Sequence, residues 1–252
     1  MKKYLIGSIM LAAHLTSLAT GAYGVRSWSE YDWQHSYNVT EVRSIASITK
    51  LFTAVTVLNS DVDLSELVRV QGHSTSKFAT GMMVPRIELM RAMLISSDNR
   101  AAESLARAHP GGYSQFLRDV QWEIGNMGLA NTKIVEPTGL SPMNISTVED
   151  LSDFLFYMRN NQLIRSITGE RTHQTQVIKG KKKIIVNLRN TNNAVFTYDN
   201  ILISKTGTTN AAGRCVAMLI ERDGDLFAVV VLGQKTSGQR NTIVVRLMKD
   251  TP

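Results

Sequence analysis

The spacing of apolar residues divides this chain into a helical middle and a β-rich end. From Ile48 to Leu58 apolar side chains recur at helical spacing. The stretch "LSELVRVQG" is short and mixed. "PRIELMRAMLISSDNRAAESLARAH" (85–109) is rich in Leu, Ala, Met, Glu and Arg and reads as two helical runs broken at "SSDN". "GGYSQFLRDVQWEIGNMG" predicts a further helix ending near Gly125 or Gly128. A turn-rich loop, "EPTGLSPMN", precedes "STVEDLSDFLFYMRNN", where Ser146 as cap and Glu149 three residues on predict a capping box.

The period then changes to two. "HQTQVIKG", "KKIIVNLRN", "NILISKTG" and "RCVAMLIERDGDLFAVVVLG" read as strands and hairpins, with "RDGD" as a tight turn. "QRNTIVVRLMKD" reads as a closing helix, and "YGVRSWSEYDWQHSYNVTEVRS" (23–44) as an extended segment able to supply a first strand. This order is α+β.

The first residues stand apart. "MKK", the apolar run "YLIGSIMLAAHLTSLA" and the small residues "TGAYG" predict a signal peptide over 1–22, cut between about 19 and 24. The run is shorter than the roughly 20 residues a spanning helix needs. Residues 23–252 then form one exported domain placed in the periplasm, touching membrane only peripherally or before cleavage. The apolar share of 43% is that of a globular chain, not a disordered one. The formal charge of +7, or +5 without Lys2 and Lys3, suits an anionic polymer or lipid head groups as well as a plain solvated surface. The densest cluster, "KGKKK" (179–183), sits between two strand-like runs and reads as a hairpin turn, not a nucleic-acid patch. The single cysteine, Cys215, forms no internal disulfide and reads as a buried small apolar residue. No metal-ligand spacing occurs, and no metal or cofactor is expected.

Three short patterns carry chemistry. Ser47 and Lys50 lie three apart at a helix start and so share a face. A neutral amine there takes the serine proton, and the helix N-terminus favours negative charge on the oxygen. The amine must first lose about three pKa units, or roughly 4 kcal/mol, which burial and a second cation can supply. Spacing alone does not assign the role, because "STSK" (74–77) has it too. Ser97, Asp98 and Asn99 sit at the interhelical break, where Asp and Asn are also ordinary caps. Lys205, Thr206 and Gly207 end a strand-like run, where glycine allows close backbone approach and the lysine and threonine suit a carboxylate.

S-x-x-K, S-D-N and K-T-G in this order are the set of the penicilloyl-serine enzymes. With "IASITKLFTA", "EPTGLSP", "STVEDL", "LRNTNNAV" and "SKTGTTNAAGRCVAM", the chain from about Val42 to Gly233 resembles low-molecular-mass penicillin-binding proteins of the D-alanyl-D-alanine endopeptidase type. The resemblance implies a β-lactamase/D,D-peptidase-like fold, an antiparallel sheet flanked by helices with a helical subdomain. It implies Ser47 as acylated nucleophile, Lys50 as proton acceptor, Ser97 as proton relay and Asn99 as a hold on the substrate amide. It also implies Lys205, Thr206, Gly207 and Thr208 as the substrate-binding strand, Lys205 as the second cation beside Lys50, and the N–H groups of Ser47 and Thr208 as oxyanion hole. The substrates would be peptidoglycan stem peptides, with β-lactams as acylating mimics.

Two alternatives stand beside it. A class A-like β-lactamase needs a deacylating glutamate in E-x-x-L-N, a pattern absent here, with Glu136 in "EPTGL" the nearest candidate. A non-catalytic β-lactam sensor would keep the fold without turnover. Loops at 72–84 and 170–183 are expected to choose between terminal D-Ala and cross-links.

Overall fold

The computed structural model describes residues 21–179, 182–249 and 251. The signal-peptide expectation therefore lies almost wholly outside the described residues. The end of the cleavage window does not: strand β1 (Ala22–Ser27) is in register from Ala22, paired with Leu232.

The N-terminal segment does supply the first strands. β1 pairs with β2 (Trp33–Tyr37) on one side and with β11 (Asp225–Gln234) on the other. With β9 (Ile201–Thr209) and β10 (Gly213–Arg222) this gives an antiparallel sheet in the order β2-β1-β11-β10-β9. The turn between β10 and β11 places Asp223 and Gly224 at φ +50° and +84°, as the "RDGD" signal demands.

This sheet is buried on both faces, which is why β10 and β11 read as continuous apolar runs rather than alternations. Cys215, Ala217 and Leu219 face the helices of the main core. Val216, Met218 and Ile220 face the closing helix α7 (Ser237–Lys249), meeting Ile243, Val244, Leu247 and Met248.

At the centre of the main core lies α1 (Thr49–Asn59), entered through a single 3-10 turn at Ala46–Ile48. Every residue from Thr49 to Val57 is buried, so α1 is walled in on all sides. Its polar side chains are satisfied internally: the Thr53 hydroxyl donates to Pro137 O at 2.8 Å and Thr56 to the Glu123 carboxylate at 2.7 Å. Phe52 stacks on Phe154 with ring centres 3.8 Å apart.

Around α1 pack α2 (Arg86–Ile95), α3 (Asn99–Arg107), α4 (Gly112–Asn126), α5 (Val148–Tyr157) and α6 (Gln162–Gly169). The helical lobe also carries a four-stranded antiparallel sheet, β4-β5-β7-β8, made of Leu67–Arg69, Met83–Pro85, Thr172–Lys179 and Lys182–Arg189. Pairing in this last hairpin reaches Lys179↔Lys182, and the turn expected within "KGKKK" lies outside the described residues. A two-stranded patch joins β3 (Arg43–Ser44) to β6 (Ile145–Ser146).

Three local expectations are corrected. The cap of α5 is Thr147, whose hydroxyl accepts from Asp150 N at 3.0 Å, one residue later than the capping box placed it. Ser146 is spent in β6, where its hydroxyl meets that of Thr132 at 2.7 Å. Helix α6 was not foreseen, because eight residues show too little of the 3.6 period. The span 170–183 named as a loop is mostly strand β7, as the two-residue period of "HQTQVIKG" predicts, and the other named loop, 72–84, runs at its end into β5.

Candidate active site

Ser47 lies in the 3-10 turn before α1, and Lys50 is the second residue of α1. The Lys50 amine is fully buried and lies 2.9 Å from Ser47 Oγ, 2.6 Å from Asn99 Oδ1 and 2.5 Å from Thr138 O. Burial pushes this amine from its ordinary 10.5 down to about 7, against the opposing charges of Glu136 and Asp98. The second cation has a different place from the one expected. Burial lowers Lys205 as well, and the positive charge on Lys50 and then that on Arg240 push it further. Desolvation, not Lys205, is what lowers Lys50.

The three partners accept from an ammonium, and they also accommodate the neutral amine that burial favours. In that state nitrogen keeps two N–H bonds and one lone pair. Asn99 Oδ1 and Thr138 O are acceptors only, so they take the two N–H bonds. The lone pair is left facing the Ser47 hydroxyl.

The S-D-N triplet divides its work. Asp98 is the α3 cap, accepting from Ala101 N at 2.9 Å. Its other oxygen accepts from the Ser76 hydroxyl at 2.7 Å and from Lys77 N at 3.1 Å. The decoy "STSK" is thus an irregular loop that buttresses the motif, with Lys77 exposed and not paired with Ser74 in a helix. Ser97 adopts φ +60°, a strained conformation for a non-glycine residue. Removing the cap should release it. Asp98→Ala is expected to cost about 2 kcal/mol in urea unfolding and to slow acylation by a β-lactam; an unchanged rate would show that Asp98 does not position Ser97 and Asn99.

K-T-G closes the site from the sheet. Lys205 and Thr206 are buried in β9, and the Lys205 amine donates to Thr206 O at 3.0 Å. The Thr206 hydroxyl is 2.7 Å from that of Thr191. Gly207 is dictated by close approach, since a Cβ there would lie 2.7 Å from Ile45 O and 3.0 Å from Ser47 N. That contact sets the start of α1 directly against the strand that carries Thr208.

Ser47, Ser97, Asn99, Thr206, Gly207 and Thr208 line one cleft of about 420 Å³. Lys50 and Lys205 lie buried beneath it. Sequence reasoning assigned no role to six other lining residues: Leu140 from the turn after Glu136, Thr191 and Asn193 from the segment after β8, and Ser237, Arg240 and Asn241 from α7. The "EPTGLSP" and "LRNTNNAV" likenesses contain Leu140, Thr191 and Asn193 without giving them a role. Sequence reasoning read "EPTGLSPMN" as a turn but did not place that turn under Lys50. The Glu136 carboxylate accepts from Thr138 N and Oγ1, Gly139 N, Ser141 N and Asn144 Nδ2 at 2.6–3.3 Å. This holds Thr138 O against the amine. Gly139, at φ +85°, lets the turn pass under Ala46.

A serine and a buried lysine at the head of a central helix, set directly against the K-T-G edge strand of an antiparallel sheet, are the arrangement of the penicilloyl-serine enzymes. Comparison with known sequences is direct: the chain belongs to the D-alanyl-D-alanine carboxypeptidase family of serine peptidases, matched over residues 35–236. It is 36% identical over 199 residues to the D-alanyl-D-alanine endopeptidase of Escherichia coli K12. That alignment covers 76% of this chain and 64% of the relative's length. Among solved structures, the Streptomyces K15 DD-transpeptidase superposes with a TM-score of 0.85 at 22% identity, over 92% of this chain and 96% of that one. The Listeria monocytogenes penicillin-binding protein D2 in its ampicillin-bound form gives 0.80 at 25% identity, over 91% and 96%.

Proposed function

We propose that this protein is a periplasmic serine D,D-peptidase that cleaves peptidoglycan stem peptides through an acyl-serine intermediate and is acylated by β-lactams. The observation that carries this reading is the Lys50 amine, buried, with two obligate acceptors and its remaining position 2.9 Å from Ser47 Oγ.

In the proposed reaction Lys50 takes the Ser47 proton as Oγ attacks the carbonyl of the penultimate D-alanine. The N–H groups of Ser47 and Thr208 receive the oxyanion; one such donor contributes about 3–4 kcal/mol to the transition state. Ser97 passes the proton to the leaving amine, the C–N bond breaks, and water then hydrolyses the ester. Asn99 spends Oδ1 on Lys50, so its amide nitrogen is the group left to hold the substrate backbone. Thr206, Thr208 and Arg240 supply donors and charge for a terminal carboxylate. The scissile bond is D-Ala–D-Ala or a D-Ala–diaminoacid cross-link. The name of the E. coli relative supports the second.

Glu136 argues against a β-lactamase of the class A kind. Its oxygens accept from five donors of its own turn, so it is not free to activate a deacylating water. Incubation with purified sacculi and chromatography of the products tests the reading. The periplasmic form, shortened by about twenty residues, is expected to convert dimeric muropeptides to monomers. Conversion of pentapeptides to tetrapeptides alone would make it a carboxypeptidase. Penicillin binding with neither cleavage would make it a sensor, and rapid cephalosporin turnover a β-lactamase.

A further inference from the structure

We infer that the outer face of the small sheet β4-β5-β7-β8 docks on the surface of an anionic phospholipid bilayer. Residues directly opposite each other in antiparallel strands share a face. The register therefore draws one row across four strands: Arg69, Met83, Ile178 and Lys183. Two residues along on the same face lie the pairs Leu67–Pro85 and Gln176–Ile185, a second row.

Four large aliphatic side chains on these rows face solvent: Ile178 is 62% exposed, Ile185 58%, Leu67 54% and Met83 45%. Their buried partners, Val177, Val186 and Leu188, point the other way into the core. An apolar groove of about 660 Å³ runs along the same face between Leu67, Met82, Met83 and Ile178. Scattered exposed aliphatics need no explanation, but four in two adjacent rows form a patch.

The charge around the patch selects the occupant. Between Glu170 and Asp199 the chain contains no Asp or Glu, while Lys183 and, across the sheet, Arg69 are basic, exposed and on the same face as the patch. The acid beside the patch, Glu66, is paired with Arg86. A second copy of this sheet would bring lysine against lysine at its open β8 edge, an arrangement that discourages strand pairing. A sugar polymer would satisfy the cations but leave the aliphatics wet. An anionic bilayer accepts both, with aliphatics at the head-group boundary and the cations among phosphates. Strand β8 leads from Lys183 directly to Thr191 in the cleft. At about 3.3 Å per residue the cleft lies roughly 25 Å along the sheet from the docking rows.

The test is co-sedimentation of the mature protein with phosphatidylglycerol-containing vesicles and with phosphatidylcholine vesicles at low salt. Binding is expected to the first only. Arg69→Glu with Lys183→Glu should weaken it by more than about 25-fold, at about fivefold per charge removed. Ile178→Ser with Ile185→Ser should weaken it about tenfold while leaving the Ser47 acylation rate and the circular dichroism spectrum unchanged. The inference is overturned by no vesicle binding, by equal binding to both lipids, or by isoleucine variants that bind like wild type. Binding to purified sacculi that depends on Arg69 and Lys183, without vesicle binding, would also overturn it. So would a dimer in sedimentation velocity that the Ile178→Ser change dissolves.

Discussion

Lys50→Met is expected to lower the rate of benzylpenicillin acylation by about 10²–10⁴-fold, the span a positioned general base contributes. Methionine keeps the length and apolar stem of lysine and removes only the amine. Lys50→Arg should lose as much, because guanidinium stays protonated far above the pH at which this site works. Mass spectrometry of the protein after incubation with benzylpenicillin measures the loss, and an adduct that still forms on Ser47 at the wild-type rate would show that the base lies elsewhere. The same variant has a thermodynamic signature. The folded state holds Lys50 near 7 while the unfolded chain keeps it near 10.5. Between those values the unfolded state binds one more proton, so folding stability rises with pH there. Wild type should therefore gain on Lys50→Met by up to about 4–5 kcal/mol between pH 7 and 10.5, at 1.36 kcal/mol per pKa unit. Other alkaline titrations cancel in the difference.

Gly139→Ala is expected to damage both fold and site. A Cβ there would lie 2.0 Å from Ala46 O and 2.8 Å from Ser47 N, with backbone on both sides of the clash. The residue also sits at φ +85°, a conformation that costs an L-residue about 1–2 kcal/mol. Overpacking against backbone adds about 1–3 kcal/mol more. Gly128→Ala separates the two effects, since Gly128 has φ +69° and nothing within 4 Å of a new Cβ. It should lose only the conformational part and acylate normally. If Gly139→Ala unfolded in urea no more easily than Gly128→Ala, the turn would not be the support under Ser47.

What could be read from the sequence follows the range of the interactions involved. The long helices and the strands of the large sheet announced themselves because each buries a periodic or continuous apolar face. Cys215 was legible as a core residue for the same reason: it is fully buried, and burial raises its thiol to about 11. Helix α6, with Ile164 and Ile167 as its buried apolar pair, is too short to display a period. The shift of the α5 cap from Ser146 to Thr147 reflects a competing strand, β6, which consumes Ser146 before the helix begins. Ser47 and Lys50 were legible as a pair and ambiguous as a site, because Ser74 and Lys77 share their spacing. What separates the two pairs is burial, which spacing does not encode: Lys50 lies at 0% exposure, and Lys77 is exposed with its amine on Asn187 O. The turn at Glu136–Gly139 was legible as a turn, but its place under Lys50 was out of reach, since Thr138 meets Lys50 across 88 residues of chain. Arg240, on a helix read only as closing the fold, entered the cleft for the same reason.

The central claim is that Lys50 is a neutral base within the working pH range of the enzyme. The pH dependence of the second-order rate of Ser47 acylation by benzylpenicillin measures it most directly. The geometry predicts a rate that rises tenfold per pH unit below about 7 and levels off above it, as Lys50 loses its proton. A rate that stayed flat from pH 5 to 9, or that kept rising toward the pKa of an ordinary lysine near 10.5, would contradict it.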